Sequence, residues 1–236
     1  MEVIVIILYL VPTLILFSYS CAQLSLVWNY WQKKRTENGN PPSNITPLSF
    51  EFPLVTVQLP IYNELYVVER LIDAVCLFEY PKNRLEIQIL DDSTDDTVSI
   101  IAQKVHFYQV QGFDIQHIRR RNRDGFKAGA LAYGLTTARG EFIAIFDADF
   151  IPNPDFLTTT IPHFENTHVG VVQTRWVHLN ESYSLITQLQ AFGLDGHFIV
   201  EQGGRNAAGH FINFNGTAGV WRKSCILDAG GWSAQT

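Results

Sequence analysis

The chain has 236 residues, a formal net charge of −6 and a pI near 5.6, an acidity that speaks against nucleic acid as a partner, since domains that grip a phosphate backbone carry a basic excess. Its 47% hydrophobic content is enough for one globular domain plus a membrane segment. Three widely separated cysteines, Cys21, Cys76 and Cys225, offer neither a CxxC metal pair nor a disulfide framework, which fits a reducing compartment.

From Val3 to Gln32 there is no formally charged side chain. As a helix this stretch would reach roughly 45 Å, more than the ~30 Å hydrocarbon core of a bilayer, so residues 1–32 are expected to form a transmembrane helix. A cleaved signal peptide is the competing reading, but Met1-Glu2 is no basic leader and the apolar run is too long for one. Pro12 is tolerated inside such a span, with a kink as its consequence. Trp28, Tyr30 and Trp31 suit the interface, and Lys33-Lys34-Arg35 directly after them place the rest of the chain in the cytosol. Residues 33–52, with Asn38-Gly39-Asn40-Pro41-Pro42-Ser43, have the composition of a linker. Asn44-Ile45-Thr46 matches a glycosylation triplet that would go unused on the cytosolic side.

Residues 53–236 then alternate strand and helix. Leu54 to Leu59 is β-branched and apolar. Asn63 is placed to cap a helix whose Val67, Val68, Leu71, Ile72, Val75 and Phe78 follow helical spacing, and Pro81 ends it. A second strand is expected over Leu85 to Leu90, a helix over Asp95 to Gln111, a short strand over Ile115 to Ile118 and a helix over Lys127 to Ala138. Phe142 to Phe146 is a continuous apolar run, the pattern of a strand buried on both faces. Phe156 to Phe164 reads as helix and Val169 to Gln173 as extended. The order predicts an α/β fold with a mostly parallel sheet and helices on both faces.

Polar clusters fall at the carboxyl ends of these strands: Tyr62-Asn63-Glu64 after the first, Asp91-Asp92-Ser93-Thr94-Asp95-Asp96 after the second, and Asp147-Ala148-Asp149 after Phe146. That edge is where open α/β sheets bind ligands. Asp147 and Asp149, two apart on extended backbone, share a face and can converge on Mg²⁺ or Mn²⁺. Alone, Asp-Ala-Asp is more often an ordinary turn, here before Pro152 and Pro154, than a catalytic motif; three such loops on one rim favour a site. A crevice of carboxylates accepts an anion only when a divalent cation inverts its charge, and such a cation completes its shell with phosphate oxygens and water. A nucleotide diphosphate is the ligand that fits. Lys127, in Asp124-Gly125-Phe126-Lys127-Ala128-Gly129, stands at an expected helix start where it could meet a phosphate or be an ordinary exposed lysine. The run His117, Arg119, Arg120, Arg121, Arg123 and Lys127 is either a solvated strand end or a small phosphate site. No Walker loop is present, which argues against P-loop phosphoryl transfer.

From Leu54 to Thr236 the chain resembles the donor-binding part of family-2 inverting glycosyltransferases, above all the cellulose-synthase-like group that includes glucomannan and glucan synthases. The resemblance rests on LPIYNE (59–64), LDDSTDD (90–96), GFKAGAL (125–131), FDADF (146–150), VQTRW (172–176), HFIVEQ (197–202), FNGTAGVWR (214–222) and DAGGW (228–232), in that order. It implies a Rossmann-like glycosyltransferase-A fold preceded by one transmembrane helix. It also implies that Pro60, Tyr62 and Glu64, with Asp91 or Asp92, hold the nucleoside of a nucleotide sugar, that Lys127 faces the diphosphate, and that Asp147 and Asp149 bind ribose and metal. Asp91, Asp92 and Asp149 would be the catalytic carboxylates. Asn215, Gly216 and Thr217 would lie near the acceptor, although a glycine turn before a helix explains them structurally too. Arg175 and Trp176 are less determined, since Trp176 could stack on a sugar or pack in a core.

The reaction implied is displacement with inversion at the anomeric carbon, the cation stabilising the departing diphosphate and an aspartate taking the acceptor proton. The resemblance places that base in a Thr-x-Glu-Asp motif beyond Thr236, and Gln173-Thr174-Arg175-Trp176 has the wrong spacing for the later Gln-x-x-Arg-Trp motif, so a partial chain is expected. The expected function is hexose transfer from UDP-glucose or GDP-mannose to a growing β-glycan or lipid-linked acceptor. It would take place at a plasma, inner or Golgi-type membrane, with the catalytic domain in the cytosol. The alternative is a non-catalytic protein that binds nucleotide sugars or serves as a scaffold.

Overall fold

Strands β1 (Val55–Ile61), β2 (Leu85–Asp91), β3 (Asp114–Arg119), β4 (Phe142–Ile145), β5 (Val171–Gln173) and β6 (Gly219–Arg222) form one sheet, in the order β3-β2-β1-β4-β6-β5. They belong to a computed structural model that describes residues 2–39 and 51–233. The first four strands run parallel, and β6 is antiparallel to both β4 and β5. This is the mostly parallel sheet that the sequence predicts. The chain winds outward from β1 through β2 to β3 and then returns to place β4 on the other side of β1, so the switch point of the topology lies between β1 and β4.

The two faces of the central strands differ. Val55, Val57, Leu59, Leu85, Ile87 and Ile89 share one face and are fully buried or nearly so. That face also carries Phe142, which meets Phe164 of the 3-10 turn after α5 (Phe156–Thr160) at 4.6 Å between ring centroids. Thr56, Gln58, Glu86 and Gln88 point to the other face, equally buried, and bond to one another. Thr56 Oγ1 donates to Glu86 at 2.5 Å, and Arg139 grips the same carboxylate through its backbone N–H at 2.8 Å and its Nε at 2.9 Å. A buried charge persists only when it is paired and hydrogen-bonded in this way. Helix α4 (Phe126–Leu135) covers this face, burying Ala130, Leu131 and Leu135 with Ile143, Ile145 and, from α8 (Lys223–Asp228), Ile226. Gly134 sets its approach, because a Cβ there would lie 2.7 Å from both Gln58 Nε2 and Leu90 Cδ2.

Asn63 does not cap the next helix. Its backbone is left-handed (φ 56°), its Oδ1 accepts from Thr94 N–H at 2.9 Å, and α2 begins only at Val68. Asparagine tolerates that conformation and finds a partner in the neighbouring loop, so the helix starts after an intervening turn. Asp95 serves α3 (Thr97–Val110), accepting from Thr97 N–H at 3.0 Å.

By compactness the residues divide into two units, α1 (Glu2–Gly39) with Arg175–Asn213, and the sheet unit of residues 51–174 and 214–233. Helix α1 is long and apolar enough to cross a membrane. It runs past Gln32, so residues 33–39 of the expected linker are helical; residues 40–50, including Asn44-Ile45-Thr46, lie outside the described residues. Trp28 and Trp31 sit 5.4 Å apart near its end, with the Arg35 guanidinium 4.4 Å over the Trp31 ring. In the same unit Gly203 and Gly204 of α7 (Gly203–Ala207) abut Tyr30 and Leu26, where a Cβ on Gly204 would come within 2.5 Å of the Leu26 carbonyl. Here Arg175 pairs with Asp195 at 2.5 Å, and Trp176 packs edge-on against Phe198 at 5.3 Å.

Candidate active site

At the carboxyl ends of β1, β2 and β4 the sheet unit opens into a crevice of about 380 Å³, lined by Pro60, Ile61, Tyr62, Glu64, Asp92, Arg123, Lys127, Ala130, Asp147, Ala148 and Asp149. The residues expected to hold a donor, Pro60, Tyr62, Glu64, Lys127 and Asp147, are all on its wall, as are Asp92 and the carboxylate pair expected to hold a metal, Asp147 and Asp149. Asp91 is not. Its side chain is fully buried, with His117 Nε2 at 2.8 Å, Arg119 Nε at 3.4 Å and the Ser93 N–H donating at 2.8 Å.

Burial alone would push the Asp91 carboxyl upward, but hydrogen bonds from His117 and Ser93 outweigh it and hold the group below its ordinary range. A depressed carboxyl stabilises the fold above its unfolded value of about 3.9 and loses that contribution as pH falls through the lower folded value. Asp91→Asn is therefore expected to cost about 1–3 kcal/mol at pH 7. The melting-temperature gap between variant and wild type should narrow as pH falls below about 4; a gap constant from pH 7 to pH 3 would refute this account of Asp91.

The loops are stitched together. Asp92 N–H donates to the Ile61 carbonyl at 3.0 Å and Asn63 N–H to Ser93 Oγ at 2.9 Å. Arg120 clamps Asp92 through Nε and Nη2 at 2.7 and 2.6 Å, and its remaining donors reach the carbonyls of Asp124 (2.6 Å) and Phe126 (2.8 Å). One guanidinium thus fixes the turn into α4, where Gly125 (φ 69°) and Phe126 (φ 48°) are left-handed. Phenylalanine in that conformation is strained, and such strain persists where surrounding contacts over-determine it.

Across the crevice Lys127 Nζ donates to Asp147 at 2.5 Å and to the Gly216 carbonyl at 2.9 Å, while Asp147 N–H donates to Thr217 Oγ1 at 2.9 Å. Asn215, Gly216 and Thr217 are thereby brought beside the donor-side residues. Gln173, whose place in the motif VQTRW says nothing of its partners, holds the same turn: its Oε1 accepts from Asn215 N–H at 3.0 Å and its Nε2 donates to the Thr217 carbonyl at 3.0 Å.

Glu64 is pushed above the ordinary carboxylate range by burial and then by the negative charges of Asp149, Asp147 and Asp95. Glu64, Asp147 and Asp149 thus gather negative charge along the crevice. Among the described residues no three His, Cys, Asp or Glu side chains converge to cage a cation unaided. Two carboxylates on an open crevice suit Mg²⁺ or Mn²⁺ whose remaining positions are filled by phosphate oxygens and water.

Residues 56–225 match glycosyl transferase family 2. Glucomannan 4-beta-mannosyltransferase 1 of Cyamopsis tetragonoloba is 41% identical over 222 residues, 91% of this chain and 42% of that protein. Probable glucomannan 4-beta-mannosyltransferase 7 of Oryza sativa subsp. japonica is 45% identical over 191 residues, 79% of this chain and 33% of its own length. The chain thus spans 33–42% of the length of these two relatives. Among solved structures, a mannosyltransferase from Pyrobaculum calidifontis in complex with GDP-Man and Mn²⁺ superposes with a TM-score of 0.68 at 23% identity, over 93% of this chain and 59% of that one. Residues 1-349 of S. aureus TarS superpose at 0.55 and 16% identity, over 77% and 51% of the two chains. These likenesses show a shared fold, the glycosyltransferase-A arrangement.

Proposed function

This chain belongs to glycosyl transferase family 2, and from that premise we propose that its crevice binds GDP-mannose with Mg²⁺ or Mn²⁺ as donor for mannosyl transfer, with inversion, to a growing β-glycan. The observation that carries the reading is the meeting of the β1, β2 and β4 loops, with Lys127, on one crevice. The names of the relatives at 41–45% identity favour mannose over glucose. A bound divalent cation would supply electrostatic stabilisation of the leaving diphosphate. Asp147 and Asp149 would hold it, and Lys127 would add a cation to the same wall. Pro60, Tyr62, Glu64 and Asp92 would bound the nucleoside, and the turn at Asn215–Thr217 would receive the acceptor end. Asp91, buried away from the crevice, would hold the β2 loop in position through His117 and Ser93. Helix α1 would span the membrane, with the basic cluster Lys33-Lys34-Arg35 keeping residues 53–236 in the cytosol.

The test is a donor panel on the detergent-solubilised chain, with binding of GDP-mannose, GDP-glucose and UDP-glucose measured with Mn²⁺ and again with chelator. GDP-mannose is expected to bind at least roughly tenfold more tightly than UDP-glucose, a difference of about 1.4 kcal/mol, and to lose that binding in chelator. Affinity unchanged by chelator, or a preference for UDP-glucose, would overturn the metal or the donor respectively. Donor binding without sugar transfer, in a chain carrying all the residues of its relatives, would favour the non-catalytic reading.

A further inference from the structure

Two cations line the crevice, and they are not equivalent. Lys127 is engaged by Asp147 and Gly216. Arg123 lies over the Tyr62 ring, its Cζ 3.3 Å from the centroid, and 5.1 Å from the centroid of the Phe126 ring. Arg119 and Arg120 beside it have carboxylate partners in Asp91 and Asp92; among the described residues Arg123 is held only by aromatic faces. A guanidinium stacked on rings keeps its N–H edge available for oxygen acceptors. Its perch is built in advance, because Phe126 N–H donates to the Arg123 carbonyl at 3.0 Å in the turn that Arg120 clamps.

We propose that Arg123 is a donor-binding residue that takes the diphosphate oxygens of the nucleotide sugar through its guanidinium fork, with Tyr62 and Phe126 holding it in that pose. This rests on the glycosyltransferase reading and names a residue beyond it. The chemistry comes from charge. The crevice presents Glu64, Asp147 and Asp149 to an anionic ligand, one cation is already tied to Asp147, and a planar fork matches a phosphate bidentately where an ammonium does not.

The test compares guanosine, GMP and GDP, with Mn²⁺ present, on the wild-type chain, Arg123→Ala and Arg123→Lys by titration calorimetry, with a melting curve for each. For GDP, Arg123→Ala is expected to weaken binding roughly 10- to 100-fold, the scale of hydrogen bonds to charged groups, and Arg123→Lys by less. Guanosine should bind all three proteins alike. Equal losses for guanosine and GDP would show that Arg123 serves the base and overturn the proposal, as would GDP affinity within twofold of wild type in Arg123→Ala. A wild-type chain that binds no nucleotide at all would instead take down the glycosyltransferase reading, and this assignment with it.

Discussion

Asp149→Ala is expected to lower the Mn²⁺-dependent affinity for GDP-mannose by roughly 100-fold or more, while the melting temperature stays within about 2 °C of wild type, surface substitutions being nearly neutral. The two effects separate because of where the carboxylate stands. Asp149 is an exposed residue of the crevice lining, and its charge helps to push Glu64 upward, second only to burial. Removing it would delete a proposed metal ligand and relieve repulsion without opening a cavity. Asp147 behaves differently. Its carboxylate carries the Lys127 ion pair, so Asp147→Ala should lose some stability as well as binding. The measurement is calorimetric titration beside thermal melting, with and without chelator. If Asp149→Ala bound GDP-mannose as wild type does, or if wild-type binding ignored chelator, the metal would have no place in this crevice.

What the sequence discloses depends on whether a residue's role is set by its neighbours in the chain or by distant ones. The run 142–146 is apolar throughout, as a strand buried on both faces tends to be, and β4 appears where that pattern puts it, whereas β2 is buried on both faces although Glu86 and Gln88 alternate with its apolar residues. The three acidic loops lie at carboxyl ends for the same reason. Strand β6 escapes notice: Gly219-Val-Trp-Arg222 is four residues after a glycine turn, and only pairing with β4 and β5 makes it extended. The buried polar set on β1 and β2 is equally unannounced, since Thr56 and Gln58 alternate with valine as they would on a half-exposed strand. The contrast is sharpest among the cations. Arg119, Arg120, Arg121 and Arg123 are one basic run in the sequence, yet their fates differ. Arg119 reaches the buried Asp91, Arg120 clamps two loops, and Arg123 stacks on an aromatic ring at the crevice. No spacing rule separates them, because their partners are distant in the chain, Asp91 and Asp92 at the end of β2 and Tyr62 after β1.

Arg120→Ala should lower the stability of the sheet unit by about 3–5 kcal/mol, the cost of stranding one member of a buried pair. For a unit of this size that is on the order of 10 °C in melting temperature. Both partners are shielded, with side-chain exposures of 10% for Arg120 and 6% for Asp92, so the loss should persist at high salt, where a surface pair would vanish. Three groups lose their donor at once: the Asp92 carboxylate and the carbonyls of Asp124 and Phe126. The left-handed turn at Gly125 and Phe126 then has less to hold it, and with it goes the placement of Arg123 and Lys127. GDP binding should accordingly weaken even at 10 °C, where the variant remains folded. Arg120→Lys keeps the charge but offers no fork, so it should recover less than half of the stability. Asp92→Asn frees the guanidinium without emptying space and should cost less than Arg120→Ala, because the carbonyl contacts survive. An Arg120→Ala protein that melts with wild type in low and high salt would mean that the turn into α4 is held by something other than this guanidinium.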